Sequence, residues 1–236
     1  LVPEPIPIEI LYEDEHLLVV SKPAGMAAHP TDPGMSGTLA HAVAFHYQTK
    51  GEQRRIRLVH RLDRDTTGAV ILAKHHMAHV LLDKQLRERQ IRRSYVAFVE
   101  GILKKNRGTI NQPIGRDRHH PTRRRVSHSP HAKPAITHYE VLARYPLRHG
   151  VTKLRAELET GRTHQIRVHL SHLGLPIIGD TLYGAQQISF HRQALHNERL
   201  AFPHPLTRNW IDINIPLPAD LKELERDLKA AEGETK

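Results

Sequence analysis

The 236-residue chain contains no cysteine, which excludes disulfides and thiolate-bound metal and suits a reducing, cytoplasmic setting. Aromatic residues are scarce, 5% with a single Trp, and the hydrophobic fraction is 39%. A chain of this length still buries enough apolar surface to build a core. No apolar run approaches the roughly 20 residues of a membrane-spanning helix, and no secretory signal opens the sequence, so no membrane partner is expected. No internal repeat and no Gly/Ser linker divides the chain, and we expect one domain over residues 1–236. Leu1 rather than Met stands first, from which we expect an N-terminal part to be missing.

Acids are the other shortage. Lys plus Arg number 35 against 25 Asp plus Glu, a formal charge of +10, which favours an anionic partner, nucleic acid above all. The excess is concentrated. Lys104, Lys105, Arg107, Arg116, Arg118, Arg123, Arg124, Arg125 and Lys133 face only Asp117, nine minus one or +8 over residues 104–133. Such a block is often just a solvated arm; with its His, Pro and Gly content, we expect an extended loop or hairpin that touches RNA or DNA.

The local patterns predict strands and helices in groups. Two strands flank the polar "EDEH" turn within residues 8–25, and a helix over 38–50 has Thr38 as its N-cap. "GAVILAK" reads as a buried strand, residues 75–90 as an amphipathic helix and 94–101 as an alternating strand. Residues 135–161 read as two strands joined by a loop. Residues 162–174 read as a short helix stopped by a C-terminal Gly. "ERLAFPHP" and "NWIDINIPLP" close the strand set, and 219–231 form a final helix before a polar tail. Strands paired locally with helices between them argue for an α+β fold and a largely antiparallel sheet.

The stretch "RLVHRLDRDTTGAVILAK", residues 57–74, places Asp63 and Asp65 in a tight, basic turn. An ionised Asp is a poor acid but a possible nucleophile, whereas a turn Asp often simply accepts backbone N–H groups; the second role is expected of Asp65. "DRDTT" also fits the D-x-D-x-T pattern of phosphatases. That chemistry needs the first Asp at the end of a buried strand with Mg²⁺ beside it, and "RIRLVHRL" is interrupted by charge. The 20 histidines form no zinc signature, so no metal is expected. Tyr95 suits either core packing or the wall of a pocket. In "ETGRTHQIRVHLSHLG", Arg167 has apolar neighbours on both sides, predicting burial and hence an anionic partner, with Asp63 the natural candidate.

"HRLDRDTTG", with "SKPAGMAAHP" upstream and "LETGRTHQIRVHLSHLGLPIIGDTLYG", "KPAITHY" and "ALHNERLAFPHPLT" in order around it, resembles the RluA-type pseudouridine synthases, in particular the RluC- and RluD-like enzymes of large-subunit ribosomal RNA. The resemblance runs from about Ile8 to Pro218. It implies an α+β pseudouridine synthase fold, a largely antiparallel mixed sheet with flanking helices and a central RNA-binding cleft. It further implies Asp63 as the essential aspartate, Tyr95 as the active-site tyrosine of the Arg93-Ser94-Tyr95 motif, and Arg167 as the arginine paired with the aspartate. Arg61 is implied near the flipped nucleotide and Ile166 against the uracil; Arg162, His164, Arg123, Arg124 and Arg125 complete the candidate RNA contacts. The implied reaction isomerises uridine to its C-glycoside and needs no redox step or group donor, so no cofactor is expected. Ribosomal RNA is the expected partner, tRNA another substrate, and a monomer the expected state. The sequence departs from the family at His196-Asn197, where His-Ala is commoner, and the S4-type domain of many relatives is not within the chain. The alternative from a different class is a catalytically idle RNA-binding or ribosome-assembly module; against it stands the intact Asp63, Tyr95 and Arg167 set.

Overall fold

The computed structural model describes residues 1–186 and 190–234, and the last two residues of the expected polar tail lie outside them. The chain divides into two compact units, one built from residues 1–91 and 197–215 and the other from 92–196 and 216–236. Every strand pairing within them is antiparallel, in keeping with the α+β expectation. Among the described residues no helix is long and apolar enough to cross a membrane.

In unit 1, β1 (Glu9–Glu13) and β2 (Leu17–Lys22) flank the turn predicted around "EDEH". Asp14 closes that turn, its Oδ1 accepting the N–H groups of His16 and Leu17 at 2.7 and 2.9 Å. α1 (Leu39–Thr49) begins after Thr38, whose N–H donates to His41 Nδ1 at 3.3 Å. β3 (Gly68–Ala73) is buried at all six positions and pairs with β2, which is why its sequence is a continuous apolar run rather than an alternation. α2 (His76–Arg87) follows, with His75 Nδ1 accepting the Ala78 N–H as its cap. The unit is completed from far along the chain by residues 197–203 and by β11 (Trp210–Asn214). Leu200, Phe202, Ile211 and Ile215 join Leu17, Val19, Ile71 and Leu82 in one core.

Unit 2 is organised by a sheet in the order β4 (Arg92–Glu100), β9 (Val151–Leu158), β8 (Ile136–Tyr145), β5 (Arg107–Asn111). The basic segment, expected as an extended loop or hairpin, contains a hairpin and also a strand of the sheet. Its first part is a sheet strand, β5, and its second is a hairpin of β6 (Ile114–Arg116) and β7 (Arg124–Val126). α3 (Gln165–His172) ends at Gly174, whose φ of +75° is the left-handed conformation a glycine allows. Val168 of α3 and Tyr183 pack against Ile114 and Ala135, fixing the hairpin to the helix. α4 (Ala219–Glu234) is anchored near its start, Asp220 receiving Arg192 Nε at 2.7 Å, and along its length, Glu225 receiving Lys153 at 2.7 Å. The strand β10 (Leu195–Pro203) carries the chain from one unit to the other at Asn197.

Candidate active site

The turn that carries Asp63 is held by backbone groups and by one buried cation. Thr66 N–H donates to the Asp63 carbonyl at 3.0 Å, closing a four-residue turn. Beneath it, Lys22 is fully buried. Its ammonium donates to the carbonyls of Pro23, Met26 and Arg64 at 2.8, 2.9 and 2.9 Å. A buried ammonium is tolerated only when its donors are satisfied, and here three carbonyls do this while tying the "KPAG" loop to the residue after Asp63. Two more bonds join the same loops, Gly25 N–H to Asp65 Oδ1 at 3.1 Å and Arg64 Nε to the Gly25 carbonyl at 3.2 Å. Asp65 thus accepts backbone N–H, the structural role expected of it. Asp63 is half-buried on this braced turn and Arg61 is exposed two residues before it.

Gly68, at the exit of the turn, has φ +132°, and a Cβ there would lie 2.4 Å from Asn197 Cβ. Asn197 is fully buried; its Oδ1 accepts the Ala69 N–H at 3.2 Å and its N–H donates to the Thr67 carbonyl at 2.8 Å. Asn197 therefore braces the start of β3 through a side-chain bond that an alanine cannot make.

In unit 2 the residues of the "GRTHQIR" segment are sorted by a left-handed turn. His164 has φ +57° at the cap of α3, an uncommon conformation for a residue with a Cβ. Arg162 is drawn away, its Nε donating to the Pro134 carbonyl at 2.8 Å. Ile166 is 4% exposed. Arg167 is 7% exposed, as its apolar neighbours implied. Within its own unit the carboxylate it meets is Asp180, bidentate through Nε at 2.7 Å and Nη2 at 2.9 Å, the fork geometry that best fits guanidinium to carboxylate. Its guanidinium carbon also lies 4.9 Å from the centre of the Tyr183 ring. Tyr183 Oη accepts the Arg124 N–H at 2.9 Å and stands 2.6 Å from His164 Nδ1. Arg124, His164 and Arg167 are thereby brought together around one phenol. Arg123 instead pairs with Asp117 at 2.7 Å across the hairpin, and Arg125 is exposed.

Behind α3 runs a buried chain of hydrogen bonds. Gln165 Nε2 donates to Thr137 Oγ1 at 3.0 Å, Thr137 Oγ1 lies 2.8 Å from His169 Nδ1, and His169 Nε2 lies 2.9 Å from the Gln112 carbonyl. A carbonyl only accepts, so Nε2 carries the ring proton. Burial pushes His169 below the ordinary histidine value, against the pull of the Gln112 carbonyl. Asp180, Tyr183 and Lys22 were not singled out from sequence, and Gln165 was noted there only as a polar residue of its segment. The signals for them were present but ambiguous: the compact "GDTLYG" turn, a Gln in the first turn of a helix, and a lysine at the end of an apolar strand.

A family profile described as RNA pseudouridylate synthase matches residues 16–172. The chain belongs to the RNA pseudouridylate synthase family. It is 50% identical over 226 residues to an uncharacterized RNA pseudouridine synthase, YhcT, of Bacillus subtilis, covering 96% of this chain and 74% of that one. It is 41% identical to ribosomal large subunit pseudouridine synthase D of Pasteurella multocida, covering 97% of this chain and 73% of the relative. Among solved structures, human RNA pseudouridylate synthase domain containing 1 superposes with a TM-score of 0.72 at 26% identity, covering 95% of each chain. Human domain containing 4 shares the fold with a TM-score of 0.77 at 23% identity over 94% and 93%. The protein is thus an RNA pseudouridine synthase that isomerises uridine in RNA, with the pseudouridine synthase fold expected from the sequence.

Proposed function

We propose that this pseudouridine synthase acts on specific uridines of large-subunit ribosomal RNA, as a cytoplasmic monomer, and that both units belong to one catalytic domain. The family match supports the last point, since residues 16–172 include parts of both units. The name of the Pasteurella relative supports ribosomal RNA as substrate; tRNA is the competing substrate. Asp63, Tyr95 and Arg167 form the catalytic set in this reading. Arg61, Ile166, Arg162, His164, Arg123, Arg124 and Arg125 serve the RNA. The observation that carries the reading is the braced turn itself: Lys22 and Asp65 tie it to the "KPAG" loop, and it holds Asp63 half-buried in a basic stretch.

The chemistry follows from the residue types. The target uridine leaves its stack at a cost of a few kcal/mol, and an exposed arginine such as Arg61 fills the vacated space. The Asp63 carboxylate acts at the sugar, either attacking C1′ or removing the C2′ proton toward a glycal; both release N1 from C1′ and let the uracil turn C5 toward C1′. Tyr95 stacks on the uracil and takes the C5 proton.

The test uses unmodified ribosomal RNA labelled with tritium at uracil C5, with EDTA present. Wild type should release tritium to water, while Asp63→Asn should bind the RNA normally and release none. Equal release by both proteins would sink the role given to Asp63. Release from bulk tRNA but not ribosomal RNA would overturn the substrate.

A further inference from the structure

Arg93 stands at the start of β4 and is 6% exposed. Among the described residues its guanidinium has no hydrogen bond and no ion pair, and its Nε, shielded from solvent, has no acceptor. Gly161 lies over it: an added Cβ there would come 2.7 Å from Nη1 and 3.4 Å from Nη2. Strand periodicity puts Arg93 and Tyr95 on the same face of β4, and Tyr95 is 5% exposed. Burial lowers the Arg93 guanidinium from its ordinary value, and the Tyr95 oxygen acts in the opposite direction. A buried charge lacking a counter-ion is expensive, and an apolar side chain of similar volume is commonly neutral or better for stability. The position therefore holds a cation for something other than folding.

We infer that Arg93 is a positioning residue for the isomerisation, its guanidinium supporting negative charge on the Tyr95 oxygen while that oxygen takes the proton from uracil C5. The inference rests on the reading of Tyr95 given above. Once C5 has bonded to C1′, C5 carries both the sugar and its hydrogen, and N1 is doubly bonded to C6. The Tyr95 phenolate takes the C5 proton. The C5–H pair becomes the C5=C6 bond, the N1=C6 π pair returns to N1, and N1 takes a proton from water. Tyr95 then gives its proton back to water, so one hydrogen has moved from C5 to N1 and nothing else is consumed. A neighbouring guanidinium favours the phenolate in this cycle, and a glycine at 161 is what allows the cation so close to the turn.

The experiment measures single-turnover tritium release from C5-labelled ribosomal RNA as a function of pH for wild type, Arg93→Met, Arg93→Lys and Gly161→Ala, together with urea unfolding and RNA affinity. Arg93→Met should release tritium about 10- to 100-fold more slowly near neutral pH, the effect of losing one to two pK units of charge support at a base. The deficit should shrink toward alkaline pH, RNA affinity should stay unchanged, and the unfolding midpoint should be unchanged or higher. Arg93→Lys should recover part of the rate. Gly161→Ala, which displaces the guanidinium without removing it, should show the same pH signature at smaller size, and it carries the test if Arg93→Met does not fold. A wild-type rate in Arg93→Met, or a deficit independent of pH and accompanied by lost stability, overturns the inference while leaving the isomerase reading intact. No release from wild type would overturn both.

Discussion

Arg167 and Arg93 are two guanidinium groups of the same unit, 7% and 6% exposed, and their surroundings differ completely. Arg167 is clasped by Asp180 through two hydrogen bonds and lies over the Tyr183 ring. Arg93 has an orphaned Nε, a glycine above it and Tyr95 two residues along its strand. Equal burial therefore marks different duties. The compensated cation joins α3 to the Asp180–Tyr183 turn, and the uncompensated one is kept at a cost. Unit 1 shows the first pattern at two groups: Lys22 meets three carbonyls, and Glu13 meets Lys74, Lys50 and His46 at 2.6, 3.0 and 3.1 Å.

The most direct way to break the contrast is Asp180→Ala, which takes from Arg167 the carboxylate that clasps it through two hydrogen bonds. Loss of one partner of a buried ion pair costs about 3–5 kcal/mol, so the urea midpoint should fall sharply, against no loss for Arg93→Met. A midpoint within error of wild type would mean that Asp180 does not hold Arg167. A second test concerns the compensated acids of unit 1. Burial alone would raise Glu13, but Lys74, Lys50 and His46 hold it down to about 2, from 4.5. Burial would likewise raise Asp14, but the His16 and Leu17 N–H groups, Tyr12 and His204 hold it down to about 2, from 3.8. Both folded-state values lie below the unfolded ones, so this stability is complete above about pH 4.5 and is lost as pH falls toward 2. The urea midpoint should stay level from pH 7 to 5 and drop below pH 4; Glu13→Gln with Asp14→Asn should blunt the drop, and an unaltered slope would show that other groups carry it. The smallest effect is expected at Asn197→Ala, which removes the bond to Ala69 N–H and should cost about 1 kcal/mol, measured by the same unfolding titration.

The helices and most strands were legible in the sequence because their apolar spacing matches their burial, as in β3, where a continuous run marks a strand covered on both sides. The family motifs pointed to Asp63, Tyr95 and Arg167, and the apolar neighbours of Arg167 announced its burial. Its carboxylate in unit 2 was not legible. Asp180 lies 13 residues further on, beyond the end of α3 and a glycine turn, and only the folded path brings it back. Arg93 was hidden for another reason. β4 begins two residues before the expected strand, and the Arg92-Arg93 pair gives no hint of which side chain turns inward. The basic segment was legible as a hairpin, which β6 and β7 form, but not as the sheet strand β5, whose inward residue is Ile110 alone.

Unit 1 receives its last strands late. Its first piece ends at Ile91, and Asn197–Ile215 return only after the whole of 92–196. During synthesis the apolar sides of β3 and α2 await Leu200, Phe202, Ile211 and Ile215. At the usual ribosomal pace this interval is on the order of ten seconds. A nascent chain in that state lacks four buried residues of this core and leaves their neighbours uncovered, which is the kind of surface that holding chaperones bind, and a message broken before the codon for Asn197 yields a product whose first 91 residues are intact yet unable to close.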